Sequence, residues 1–278
     1  MCFRPVYFDG TVVHRSLNYT NVSKGNPPMT HRPLSHIRVL DFGQYLAAPL
    51  VGMMLADMGA EVIRIDPPNG PAFDGAFRDQ LAALMRWRRD VRRFRPDPVD
   101  DAALARCFTA FALAPSVGLS EPWRLLRVDS APARAAALAN FTAANAAALD
   151  GYAGADAERY ATLKLSGMRE APVQLAVFCD ETTDKGRGLG AGTMPEMRRY
   201  SVVSAIAQFW LAARAEGIGV GWVSILDPGQ LAQDLDAPGH WRLVAYLCVG
   251  YPAQASDTPE LEQLGWENRA ADLMIETR

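Results

Sequence analysis

The spacing of hydrophobic positions changes character along this chain. Residues 1 to about 33 mix Thr, Asn, Ser, Gly and Pro, as in Asn18-Tyr19-Thr20-Asn21 and Gly25-Asn26-Pro27-Pro28, with no sustained period. That pattern predicts a disordered leader. From 37 to 66 the order is strand, helix, strand. Ile37-Arg38-Val39-Leu40-Asp41 is a short strand, Ala47 to Met58 an apolar helix closed by Gly59, and Glu61 to Asp66 a second strand ended by Pro67-Pro68-Asn69-Gly70. A lone unit of this kind cannot bury both faces of its strands.

After Pro71-Ala72-Phe73 the pattern becomes that of one α+β domain. Helices are expected at about 74–87, 100–112 and 132–149, and strands at 124–129, 173–179, 219–225 and 242–250. Residues 200–213, YSVVSAIAQFWLAA, carry no charge at all. A helix apolar on every side is buried, and this one is too short to span a bilayer. Arg214-Ala215-Glu216-Gly217 ends it, and the tail from 253 is polar. The expected organisation is a leader at 1–33, a β-α-β fragment at 34–72 and a main domain at 73–278.

Composition narrows the chemistry. The net charge of −3 argues against general nucleic-acid binding. No run of about 18 apolar residues marks a membrane span. The cysteines, Cys2, Cys107, Cys179 and Cys248, show no CxxC spacing, which fits a reduced, cytoplasmic chain and gives no zinc pattern. Between His36 and His240 there is no histidine. A Ser-His-Asp or His-metal mechanism in the body is therefore not expected, and a carboxylate or a cofactor must do the work.

Against this background one segment stands out. Arg86-Trp87-Arg88-Arg89-Asp90-Val91-Arg92-Arg93-Phe94-Arg95 holds six arginines and one aspartate. Guanidinium groups offer planar, bidentate hydrogen bonds that fit phosphate oxygens. The bland reading is a solvated basic face, with Asp90 a salt-bridge partner of Arg88 or Arg93. Gly217-x-Gly219-x-Gly221 follows a helix rather than opening one, so it is not a dinucleotide fingerprint.

Two resemblances sharpen these readings. Ile37–Gln44 (IRVLDFGQ), Ala47-Ala48-Pro49 and Leu55–Pro67 resemble the extreme N-terminus of family III CoA-transferases. That family's catalytic aspartate lies far beyond this unit, which implies a truncated, inactive fragment or an extension docked on the main domain. Arg88–Phe94, Ala114-Pro115-Ser116-Val117-Gly118 with Pro122-Trp123, Ala212–Trp222 and the Arg269 tail resemble the nitroreductase superfamily of flavin enzymes. The implied fold is α+β, a mixed sheet flanked by helices, in an intertwined homodimer with FMN at the interface. Asp90, standing where ordinary nitroreductases have serine, together with Tyr160–Gly167, Glu170-Ala171-Pro172, Thr193–Met197 and Gly221–Ile225, resembles the branch of that superfamily that consumes its flavin.

The function implied by that branch is oxygen-dependent fragmentation of reduced FMN to 5,6-dimethylbenzimidazole, the lower ligand of vitamin B12, and erythrose 4-phosphate. The resemblance makes Asp90 a proton-transfer group and places Ser224 against the flavin ring. It gives Arg88, Arg89 and Arg92 to the phosphate and ribityl chain, and Val91, Ser116, Leu163 and Arg269 to further flavin contacts. Dioxygen is the co-substrate, no metal is implied, and a separate NAD(P)H:flavin reductase is the expected supplier of reduced flavin. Asp150–Gly192 is a candidate lid. Glu121 departs from the glutamine usual before Pro122-Trp123. The alternatives are a conventional NAD(P)H-dependent FMN nitroreductase and an inactive fusion product.

Overall fold

A computed structural model of the chain describes residues 3–8, 11–16, 34–41, 54–55, 58, 60–66, 75–254, 256–270 and 272–278. It divides into two units, residues 1–79 and 80–278.

The first unit holds β1 (Phe3–Phe8), β2 (Thr11–Ser16), β3 (Arg38–Asp41) and β4 (Glu61–Asp66), in the sheet order β1-β2-β4-β3. β3 and β4 are parallel, with Arg38 opposite Glu61, as a β-α-β crossover requires. Arg38 Nε donates to Glu61 Oε2 at 2.7 Å across that pair. Of the helix expected at Ala47–Met58, Met54 and Leu55 are helical, and nearly all the rest lies outside the described residues.

The reading of residues 1–33 as a disordered leader does not hold for residues 3–8 and 11–16, which form strands. β1 and β2 pair antiparallel, and β2 pairs antiparallel with β4. A lone strand–helix–strand unit leaves one edge of β4 with open N–H and C=O groups, and β2 satisfies them. Val12 and Val13 favour strands, and Asp9-Gly10 is a two-residue hairpin dipeptide. A search for long periods passes over such short signals. Residues 17–33 lie outside the described residues.

In the second unit β5 (Trp123–Arg127), β6 (Val173–Asp180), β7 (Gly219–Val223) and β8 (Trp241–Gly250) form an antiparallel sheet in the order β5-β6-β8-β7. The helices are α1 (Gly75–Trp87), α2 (Asp101–Ala112), α3 (Ala131–Leu149), α4 (Gly154–Thr162), α5 (Met197–Ala215), α6 (Pro228–Asp234) and α7 (Glu260–Gln263). α1 runs across the division between the units. Among the described residues, no helix is long and apolar enough to cross a membrane.

All of β6 is buried because helices cover both of its faces. Leu175, Val177 and Cys179 cluster with α2 and α5, while Ala176 and Phe178 cluster with Ala137 of α3 and Leu231 of α6. The strand's period of two thus serves two cores, and apart from Gln174 and Asp180 its residues are apolar. Emptying the Phe178 site by Phe178→Ala would cost about 3–5 kcal/mol.

α5 matches its expected place but not its expected burial. Val202, Ala205, Ile206, Phe209 and Ala213 are fully buried, yet Tyr200 is 51% exposed and Val203 41% on the other side. One chain therefore covers only one face of the uncharged stretch 200–213. Gly217, at φ +75°, ends it: the Ile218 N–H reaches back to the Ala213 carbonyl at 2.8 Å, a turn that favours glycine. The proposed lid also needs correction. Asp150–Gly192 contains α4 and β6, and β6 is a central buried strand that cannot swing.

Candidate functional site

The arginine run is no helix face. α1 stops at Trp87, and residues 88–95 continue as an extended segment laid against β7 and the chain beyond β8. Asp90 bridges Val220 in parallel, and the Val91 N–H donates to the Val220 carbonyl at 3.1 Å. Further along, the Arg95 N–H donates to the Tyr251 carbonyl at 2.8 Å, and the Ala253 N–H to the Arg93 carbonyl at 2.9 Å. The glycines of β7 permit this approach. A Cβ on Gly221 would lie 2.1 Å from the Val91 carbonyl oxygen, and one on Gly219 would lie 2.8 Å from a Val91 methyl. Gly219-x-Gly221 is thus a landing strip for the arginine segment, consistent with its not being a nucleotide fingerprint.

Asp90 is held at both carboxylate oxygens. Oδ1 accepts the Trp222 N–H at 2.9 Å, and Oδ2 accepts Arg92 Nε at 2.8 Å. Its side chain keeps 33% of its surface open. The salt-bridge partner is therefore Arg92, not Arg88 or Arg93; Arg93 pairs with Glu260 instead. Arg92 also donates to the Lys164 carbonyl at 3.3 Å, which ties the aspartate to the irregular segment after α4. Leu163 caps α4 and lines a cavity of about 220 Å³ with Lys164, Ser166 and Glu170 on one side and Phe141 of α3 on the other.

Arg88, Arg89 and Arg269 form no ion pair with any described residue. Arg89 spends its donors on carbonyls, reaching Asp257 through Nε at 2.8 Å and Arg88 through Nη1 at 2.7 Å. Arg88 lies over the Trp210 ring, 4.8 Å from its centroid. Burial first, and then the charge of Arg269, pulls both the Arg88 and the Arg89 guanidinium below the ordinary arginine value. Three cations close enough to repel, with no carboxylate in contact, call for an anion. A phosphate monoester fits that demand.

Two expected residues lie apart from this cluster. Ser116 precedes a 3₁₀ turn at Val117–Leu119, its Oγ accepting the Glu121 N–H at 3.1 Å. The Val117 N–H donates to Ser201 Oγ at 3.0 Å near the start of α5. Trp210, beside the arginines, is nine residues further along that helix, about 13 Å by helical rise. The contacts of one chain do not bring Ser116 to the arginines. Glu121 forms an ion pair with Lys185. Ser224 is exposed just past β7, two residues beyond the Trp222 that holds Asp90.

Sequence reasoning missed Trp210 and Arg214. Arg214 is 6% exposed, stacks 3.5 Å from the Trp87 ring centre, and is pulled below the ordinary arginine value by burial. The available signal was an aromatic and a cation spaced i, i+4 at the end of the uncharged run 200–213.

A chain folded in this way belongs to the nitroreductase family, whose model matches residues 85–251. Within that family it is similar to 5,6-dimethylbenzimidazole synthases. It is 57% identical to that of Rhodospirillum rubrum over 72% of this chain and 95% of the relative, and 51% identical to that of Rhodobacter capsulatus over 70% and 94%. A crystal structure of oxidised iodotyrosine deiodinase bound to FMN and 3-iodo-L-tyrosine has the same fold: TM-score 0.55 and 21% identity, covering 71% of this chain and 97% of that one. The CoA-transferase family III model matches residues 34–78.

Proposed function

We propose that this chain carries out the oxygen-dependent fragmentation of reduced FMN to 5,6-dimethylbenzimidazole and D-erythrose 4-phosphate, a step that serves vitamin B12 synthesis. The observation that carries the reading is Asp90. It is fixed by Trp222 and Arg92, left one-third open, and lies within electrostatic reach of Arg88, which forms no ion pair with a described residue. The similarity to 5,6-dimethylbenzimidazole synthases over nearly their whole length supports the same conclusion.

When bound, FMN supplies the electrons and the reactivity toward dioxygen. The protein's own groups do the rest. Arg88, Arg89 and Arg269 hold the phosphate. The β7 glycines bring Asp90 to a fixed height on the sheet edge, where its carboxylate takes and returns protons. Val91 and Arg92 continue the cradle toward Leu163, and Ser224 faces the ring. Ser116 reaches the flavin from a second copy of the chain, docked on the exposed Tyr200–Val203 side of α5. A separate NAD(P)H:flavin reductase provides reduced FMN, and the work is done in the cytoplasm.

The test is anaerobic reduction of FMN with the purified chain, followed by admission of air. Benzimidazole formed with loss of flavin, and absent in Asp90→Asn, is the expected result. Quantitative return of oxidised FMN with hydrogen peroxide would leave a conventional flavin reductase instead.

A further inference from the structure

We infer that Trp210 is the positioning residue that joins the phosphate cradle to the aspartate, and that its indole holds Arg88 without neutralising it. The inference rests on the reading that the arginines take the phosphate of a flavin nucleotide.

One ring makes all the connections. Its face carries the Arg88 guanidinium at 4.8 Å. Its Nε1–H donates to the Arg89 carbonyl at 3.3 Å. Its edge packs on Trp222, with centroids 6.3 Å apart and planes at 44°. Trp222 in turn donates its N–H to Asp90 Oδ1 at 2.9 Å. Trp210 therefore touches both arginines at the start of the cradle and the residue that fixes the aspartate. Its mount is stiff: Ile206, Phe209 and Ala213 of the same helix are fully buried.

The choice of an aromatic holder has a physical reason. A carboxylate would fix Arg88 by forming an ion pair and would occupy the donors meant for phosphate. A ring attracts the cation through its quadrupole and leaves the in-plane N–H groups free. One turn later the same device recurs, with Arg214 stacked 3.5 Å from the Trp87 ring centre, immediately before Arg88. Arg214 makes no ion pair with a described residue, and neither Arg88, Arg89 nor Arg269 contributes to its shift, so it stands outside the anion cluster.

The experiment compares FMN with riboflavin, which lacks the phosphate. Flavin fluorescence quenching gives both dissociation constants for the full chain, Trp210→Phe and Trp210→Leu. The Leu variant is expected to lose about tenfold of the preference for FMN, the value of one cation–π contact at a desolvated site, with riboflavin affinity unchanged. The Phe variant keeps a ring face and is expected to lose about threefold, the share of one neutral hydrogen bond. Equal weakening of both ligands, or an unchanged preference in the Phe variant, would overturn the inference; the Phe result decides if the Leu variant does not fold. A parent chain with no preference for FMN would instead overturn the phosphate reading beneath it.

Discussion

The two units of this chain use the same local grammar and reach different ends. The N-terminal unit places a parallel strand pair beside a hairpin, and among its described side chains Ala60 and Val62 are the buried apolar ones. The body places helices on both faces of an antiparallel sheet and buries every residue of β6. Only the body then spends residues on chemistry. It can hold Arg88 and Arg89 without ion pairs and lay a glycine strand under a carbonyl because two packed cores supply the stability. A unit of strands and a crossover can be recognised from a few dozen residues, but a site needs elements far apart in sequence to close on one another.

The largest effect that would sharpen this contrast is at Asp90. Asp90→Asn keeps the size and one acceptor oxygen but removes the base, so benzimidazole formation should fall at least about 100-fold in the aerobic assay. Gly221→Ala comes next. Its methyl would stand 2.1 Å from the Val91 carbonyl oxygen, so the arginine segment must lift off β7. Urea unfolding should show about 1–3 kcal/mol of lost stability, with FMN affinity lost alongside it. An alanine there with full stability and affinity would break the landing-strip account.

Arg88→Ala should weaken FMN binding about tenfold while sparing riboflavin, measured by the same quenching titration. A smaller effect concerns acid. Burial pushes Asp180 up, but hydrogen bonds from Thr182 and the nearby Arg124 guanidinium outweigh it and hold the carboxyl below its ordinary 3.8. A carboxyl lowered in the folded state stabilises fully above its unfolded value and loses that contribution as pH falls through the folded one. Melting temperatures of the parent and Asp180→Asn should therefore differ at pH 6 and converge as pH falls through and below the lowered folded value. The smallest effect is the sharpest test of the contrast. Removal of residues 1–74 should leave FMN affinity within about twofold, since the contacts described for Asp90, Arg88 and Arg89 are made by residues from Arg88 onward. A large loss would show that the N-terminal unit shares in the function.

Much of this was readable before any fold was seen. The uncharged run at 200–213, the largely apolar run at 173–179 and the two strand patterns at 37–41 and 61–66 gave element types that the structure bears out, because each is a local period. The hairpin at residues 3–16 escaped because its strands are short and their partner, β4, lies some 50 residues on in the chain. α4 and α6 escaped too, being about two turns each, too short for a helical period to show.

By itself, the sequence determined the supply of chemistry: arginines enough for a phosphate, one aspartate among them, no histidine between His36 and His240 and glycines at alternate positions of β7. Tertiary structure alone decided which of these groups meet. It chose Arg92 over Arg88 and Arg93 as the partner of Asp90, gave Arg93 to Glu260, and set Trp210 between the arginines and Trp222. The reason is geometric. Charge and residue type are properties of a position, whereas pairing depends on distances between segments 70 to 180 residues apart, and only the packing of α5 against the sheet fixes those.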